Sequence, residues 1–183
     1  MNKPLEEWQY PIGRYVPKQD FSREEIEETI AILADFPNRL GITLDRCSKE
    51  DLDSPYRKGG WTIRQLIHHI ADSHMHAYMR CKFAYLEERP LVKNYQEQDW
   101  AEKSPDACMA GVEASHKIIE GVHHRWVFFF KTLKKEDFKR VYVHPERAEN
   151  YPLAEVAYFY AWHSNHHLAH INQFLQYLSL IHI

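Results

Sequence analysis

A chain of 183 residues is about one domain long and large enough to bury a hydrophobic core without staples. Its 23 Lys and Arg against 26 Asp and Glu give a formal net charge of −3, which argues against a nucleic-acid-binding surface or an acidic tail. The composition is otherwise ordinary, apart from 13 histidines beside only 6 glycines and 3 cysteines. Cys47, Cys81 and Cys108 form no C-x-x-C pair and are odd in number, as expected of buried thiols in a reducing compartment. The N-terminal stretch has no apolar core of a secretory signal, and the longest apolar run, Val156 to Trp162, falls far short of the roughly 18 residues that span a bilayer. A single cytoplasmic domain over residues 1–183, with no membrane or nucleic-acid partner, is the expectation.

In chain order, Pro4, Pro11, Pro17 and Gly13 keep residues 1–20 from forming a helix of useful length and predict an extended arm. Ser22 and Glu25 have the spacing of a capping box, opening a helix over about 22–47 with apolar positions at Ile26, Ile30, Leu33, Phe36 or Pro37, Leu40 and Leu44. Pro37 predicts a kink in it. After the breaker-rich DLDSPYRKGG, Thr62 and Gln65 repeat the capping spacing at the head of a second helix, about 62–88. Leu91 to Pro105 has no sustained period and reads as a long loop, whose Tyr95 and Trp100 either cover a site or pack on the bundle. A third helix spans about 106–134, with Val112, Ile118 or Ile119, Val122, Trp126, Phe129 or Phe130, and Leu133 inward, and with His123 and His124 on its flank. Phe138 to Tyr151 alternates like a short strand or extended loop, and Pro152 suits the first turn of a fourth helix. Four long helices predict an all-α, up-down four-helix bundle with an N-terminal arm.

The last helix carries WHSNHHLAHI, with histidines at 163, 166, 167 and 170. At 100° per residue these form one stripe, and the period through Val156, Tyr160, Phe174 and Leu178 turns His163 and His167 inward, with His166 nearer the flank. Two imidazoles four residues apart on one helix face can meet a single cation, whereas two unpartnered buried imidazoles would be costly. A third ligand must come from another helix. The second helix offers His68, His69, His74 and His76 with Asp72 nearby, and the stripe through Leu66, Ile70, Ser73 and Ala77 accommodates His69 better than His68. Three histidines with open positions is ligation of the catalytic kind, since structural zinc sites usually close with four ligands rich in cysteine. The Glu-x-x-His motifs of di-iron bundles are absent from the inward positions, and no P-loop or dinucleotide fingerprint is present. No general base can be named. Asp72, one turn beyond His69, either orients a ligand or is an ordinary solvated or N–H-bonded carboxylate, and His68, His74, His76, His166 and His170 read mainly as surface or ligand-orienting residues.

The stretches YPIGRYVP, PYRKGGWTIRQLIHHIADSHMHAYMR, the HP of VHPE, and WHSNHHLAHI resemble, in order and spacing, segments of the DinB-like four-helix bundles, and within them the YfiT-type metal-dependent hydrolases, related to the bacillithiol transferases. The resemblance covers nearly the whole chain. It implies that the histidine eight positions after the tryptophan of the W-[ST]-x-x-[EQ] helix start, here His69 after Trp61, joins His163 and His167 on one divalent metal ion, zinc or nickel. It also implies a cytoplasmic homodimer acting on a small-molecule substrate. The same three-histidine pattern serves relatives that transfer a low-molecular-weight thiol, so the motif allows hydrolysis or thiol transfer, and a metal-binding bundle without catalysis is a third reading.

Overall fold

Local capping decides where three of the helices begin. The computed structural model describes residues 4–146 and 150–181, so the first three residues of the arm and His182 lie outside the described residues. The arm holds one short helix, α1 (Leu5–Gln9), between its prolines and otherwise runs extended over the bundle. Ser22 and Glu25 form the expected reciprocal capping box at the head of α2 (Arg23–Leu44). A further box at Ser48 and Asp51 opens the short α3 (Lys49–Leu52). Thr62 and Gln65 start α4 (Ile63–Leu86), with Gln65 N–H donating to Thr62 Oγ1 at 3.1 Å and Thr62 N–H to Gln65 Oε1 at 2.9 Å.

The segment read as a loop contains α5 (Glu97–Lys103), followed by α6 (Pro105–Met109). The third long helix, α7 (Glu113–Thr132), starts later than the sequence period predicts, because Ala110 is extended and its carbonyl accepts a 2.7 Å bond from Arg64 instead of continuing a helix. A 3₁₀ turn (Asp137–Lys139) leads to an antiparallel pair, β1 (Val141–Val143) and β2 (Asn150–Pro152), with Tyr142 opposite Tyr151. The final helix, α8 (Leu153–Ile181), follows Pro152 directly. Among the described residues no helix is long and apolar enough to cross a membrane.

The all-α four-helix bundle is as expected, but its helices do not simply alternate up and down, as side-chain pairs across them show. Arg39 of α2 and Arg46, just past its end, bond Asn165 and Asn172 of α8, so these two helices run parallel. His68 and His74 of α4 meet Ser115 and His123 of α7, again parallel. His69 and Ser73 meet His167 and Tyr160, and Leu33 and Pro37 meet His123 and His116, so α4 against α8 and α2 against α7 are antiparallel. The directions therefore run up, down, down, up. The first two long helices, α2 and α4, sit across one diagonal and the last two, α7 and α8, across the other, so that α2 and α4 each pack between α7 and α8. The connections from α2 to α4 and from α7 to α8 cross an end of the bundle, whereas the one from α4 to α7, which carries α5 and α6, returns alongside α4.

Two apolar clusters fill the core, one around Leu33, Trp126, Phe130 and Tyr160, the other around Phe36, Leu40, Leu66, Ile70, Ile119 and Ile171. Each fully buried large side chain contributes about 1.5–3 kcal/mol. A layer of imidazoles lies between them: the His74 ring packs at 5.6 Å from Phe36 on one side and 5.2 Å from Tyr160 on the other.

Candidate metal centre

His69 on α4 and His163 and His167 on α8 converge in this layer, each presenting a ring nitrogen within 4.8 Å of the other two. They meet because α4 and α8 are antiparallel neighbours and the inward turn of each carries the histidine. The Nε2 atoms of His163 and His167 are 3.1 Å apart. The ring of His69 stands 5.5 Å from His163 and 5.2 Å from His167, held from behind by Trp61 at 4.8 Å. Trp61 is fixed in turn by donating its indole N–H to Glu102 of α5 at 3.1 Å.

All three histidines are buried, yet at 6%, 7% and 8% exposure none is sealed from solvent. Burial lowers the His69 pKa to about 4, and burial together with neighbouring histidines holds His163 and His167 well below the ordinary value. They are neutral at pH 7 and have lone pairs to offer. His69 Nδ1 is buried without a hydrogen-bond partner, a costly arrangement that a further ligand would relieve. The 3.1 Å edge between His163 and His167 is shorter than twice a zinc–imidazole bond of about 2.0–2.1 Å, so one ion can reach both. The donor set fits a divalent transition metal.

The remaining histidines differ from their sequence reading. His166 is buried rather than on the flank, because Trp162 stacks on it at 4.4 Å and Tyr10 of the arm covers it at 6.1 Å. His166, His167 and His170 form a second close group on α8. His123 lies in the core, since the inward stripe of α7 runs Ile119, His123, Trp126, Phe130. His74, read as a surface or orienting residue, is fully buried with Nδ1 2.7 Å from His123 Nε2 and Nε2 2.9 Å from His163 Nδ1. His68 turns away from the cluster to Ser115 on α7 at 2.7 Å. The inward stripe on α7 was visible in the sequence; which helix would face it was not.

Tyr95 and Trp100 pack with His76, Tyr95 stacked on it at 4.2 Å and Trp100 edge-on at 5.2 Å, which is the packing alternative for this segment. Asp72 joins neither histidine group. It is half-buried, and burial first, and Asp106 second, raise its pKa to about 6. A carboxylate with a raised folded pKa costs stability once it ionises, so the penalty grows above the unfolded value near 3.9 and is complete above about 6. Asp72→Asn is therefore expected to raise the melting temperature of the metal-free protein at pH 8. Equal melting temperatures at pH 8 would show that the carboxylate is well solvated.

The fold and cluster define a class: an all-α four-helix bundle with three converging histidines from two antiparallel helices. Residues 32–171 match the DinB superfamily, and the chain belongs to it. The "Putative metal-dependent hydrolase YfiT" of Bacillus subtilis (strain 168) is 39% identical over 164 residues, spanning 90% of this chain and 92% of the relative. A "Putative metal-dependent hydrolase" of Bacillus pumilus (strain SAFR-032) is 41% identical over 168 residues, spanning 92% and 95%. Among solved structures, one described as "YfiT from Bacillus subtilis is a probable metal-dependent hydrolase with an unusual four-helix bundle topology" matches with a TM-score of 0.91 at 37% identity, covering 94% of this chain and 98% of that one.

Proposed function

We propose that this chain is a divalent-metal-dependent hydrolase of a small-molecule substrate, with His69, His163 and His167 as the ligands of one zinc or nickel ion. The observation that carries the reading is the convergence of three buried, neutral imidazoles, one of them with an orphaned ring nitrogen. The names of the relatives support it. When bound, a divalent ion on three neutral ligands retains its charge and brings the pKa of a bound water towards neutrality.

The chain's own residues supply the rest. Trp61 and the apolar clusters fix the rings, and the slight exposure of the three histidines leaves an approach for a small molecule. The resemblance adds a cytoplasmic homodimer to the proposal.

The deciding experiment incubates zinc- or nickel-loaded protein with an activated ester and with an alkylating electrophile, each with and without low-molecular-weight thiol. Turnover of the ester in water alone is the expected result. Turnover that requires thiol would replace hydrolysis by thiol transfer on the same site, and a loaded protein inactive in every arm would favour a metal-binding bundle without catalysis.

A further inference from the structure

Two of the three converging histidines sit at the end of a chain of ring-to-ring hydrogen bonds, and each chain begins on a backbone carbonyl. In α2, Pro37 has no N–H to give to the carbonyl of Leu33 four residues earlier. The helix nevertheless continues through Pro37, and the freed Leu33 carbonyl lies 2.6 Å from Nδ1 of His123. Gly41, one turn on, leaves room for the His116 ring, whose Cε1 would come within 3.0 Å of any added Cβ, and His116 Nε2 lies 2.9 Å from the Pro37 carbonyl. On the other side, Gln9 ends α1, where a helix leaves its last carbonyls unpaired, and its carbonyl lies 3.1 Å from Nε2 of His170.

A carbonyl only accepts, and that settles the protons along both chains. His123 must donate from Nδ1, so its Nε2 carries a lone pair. His74 must then donate from Nδ1 across 2.7 Å, leaving its Nε2 to accept, across 2.9 Å, from Nδ1 of His163. In the second chain His170 donates from Nε2, so its Nδ1 accepts, across 3.3 Å, from Nδ1 of His167. Both chains end in the same state: His163 and His167 protonated on Nδ1, with bare Nε2 lone pairs facing each other at 3.1 Å. No proton is left to join them.

We propose that His74, His123 and His170 are positioning residues whose two hydrogen-bond chains, anchored on the Leu33 carbonyl freed by Pro37 and on the Gln9 carbonyl of the arm, lock His163 and His167 in the ligand tautomer. The proposal rests on the metal-centre reading above. Imidazoles take the place that carboxylates or carbonyls usually hold behind a metal-binding histidine. The arm thereby gains a structural role, since α1 places the carbonyl that fixes one ligand. Among the described residues His69 Nδ1 starts no such chain, and its ring packs on Trp61.

The test reads tautomers directly, by long-range ¹H–¹⁵N NMR of histidine-labelled, metal-free wild-type protein at neutral pH. His163, His167, His74 and His123 are expected with the proton on Nδ1, against the Nε2 preference of a free side chain, and His170 with it on Nε2. Finding His163 or His167 protonated on Nε2 overturns the proposal. Zinc titration adds a second readout: His74→Phe and His170→Phe are expected to weaken binding about 10–100-fold, and His74→Gln, whose amide oxygen can accept from His163, to restore most of it. Unchanged affinity in both Phe variants overturns the proposal as well; if either fails to fold, the wild-type spectrum still decides. Zinc bound with the wrong tautomers removes the chains and leaves the metal centre, whereas the expected tautomers without zinc binding remove the metal centre and with it the purpose of the chains.

Discussion

His163→Ala, His167→Ala and His69→Ala are each expected to abolish stoichiometric metal binding, with wild-type protein retaining about one equivalent per chain and each variant losing more than about 100-fold in affinity, beyond the effect of changing a residue that merely orients a ligand. The physical reason is the small donor set. The three ring nitrogens within 4.8 Å of one another are the ligands the site offers, and removing one leaves two. Elemental analysis after dialysis measures the stoichiometry, and thermal melting measures the linkage. At a free zinc concentration about 1,000 times the dissociation constant, binding stabilises the fold by about 4 kcal/mol, which for a domain of this size raises the melting temperature by roughly 8–16 °C. The alanine variants should show no such rise. Full metal content in all three would dismiss the site; retention by His163→Ala with loss in His170→Ala would move it to the His166, His167 and His170 group.

The second large effect is acid unfolding of the metal-free protein well above the usual carboxylate range. Burial lowers the pKa of His69, His123 and His166 to about 4 and of His170 to about 3, and it holds His74, His163 and His167 well below the ordinary value. Unfolding restores each to about 6.5. Between the folded and unfolded values the unfolded chain binds more protons, so the stability these groups allow is complete above about pH 6.5 and is lost as the pH falls. One such histidine changes stability by about 1.4 kcal/mol per pH unit, so even half of the seven acting together removes about 5 kcal/mol per unit, comparable with the whole stability of a domain, about 5–15 kcal/mol. Circular dichroism on metal-free protein should therefore show a steep transition between about pH 5 and 6. A midpoint below about pH 4 would mean that the imidazole layer is hydrated or that its charges are accommodated when folded.

Much of this architecture follows from local chemistry. Ser22 with Glu25 and Thr62 with Gln65 satisfy helix-start N–H groups within four residues of chain, so the heads of α2 and α4 could be placed without knowing any neighbour. The period of α8 turned His163 and His167 inward for the same reason, since a helix fixes the relative direction of its own side chains. His69 needed more: the period of α4 only leaned towards it, and the resemblance at Trp61 singled it out. The break before α7 escaped because it depends on Arg64, 46 positions away, taking the Ala110 carbonyl.

Composition and period thus settled the bundle, the arm and two inward histidines, all consequences of interactions along one stretch of chain. Only the packed molecule could decide the up, down, down, up order, because helix direction depends on which faces meet. The same holds for the other histidines. His123 becomes a core residue because α2 presents a carbonyl that Pro37 has left unpaired, and His166 and His170 are buried because the arm lies over α8. Pro37 shows the division most clearly: a missing N–H is readable from one residue, but the group that answers the freed carbonyl is on another helix, 90 positions further along the chain.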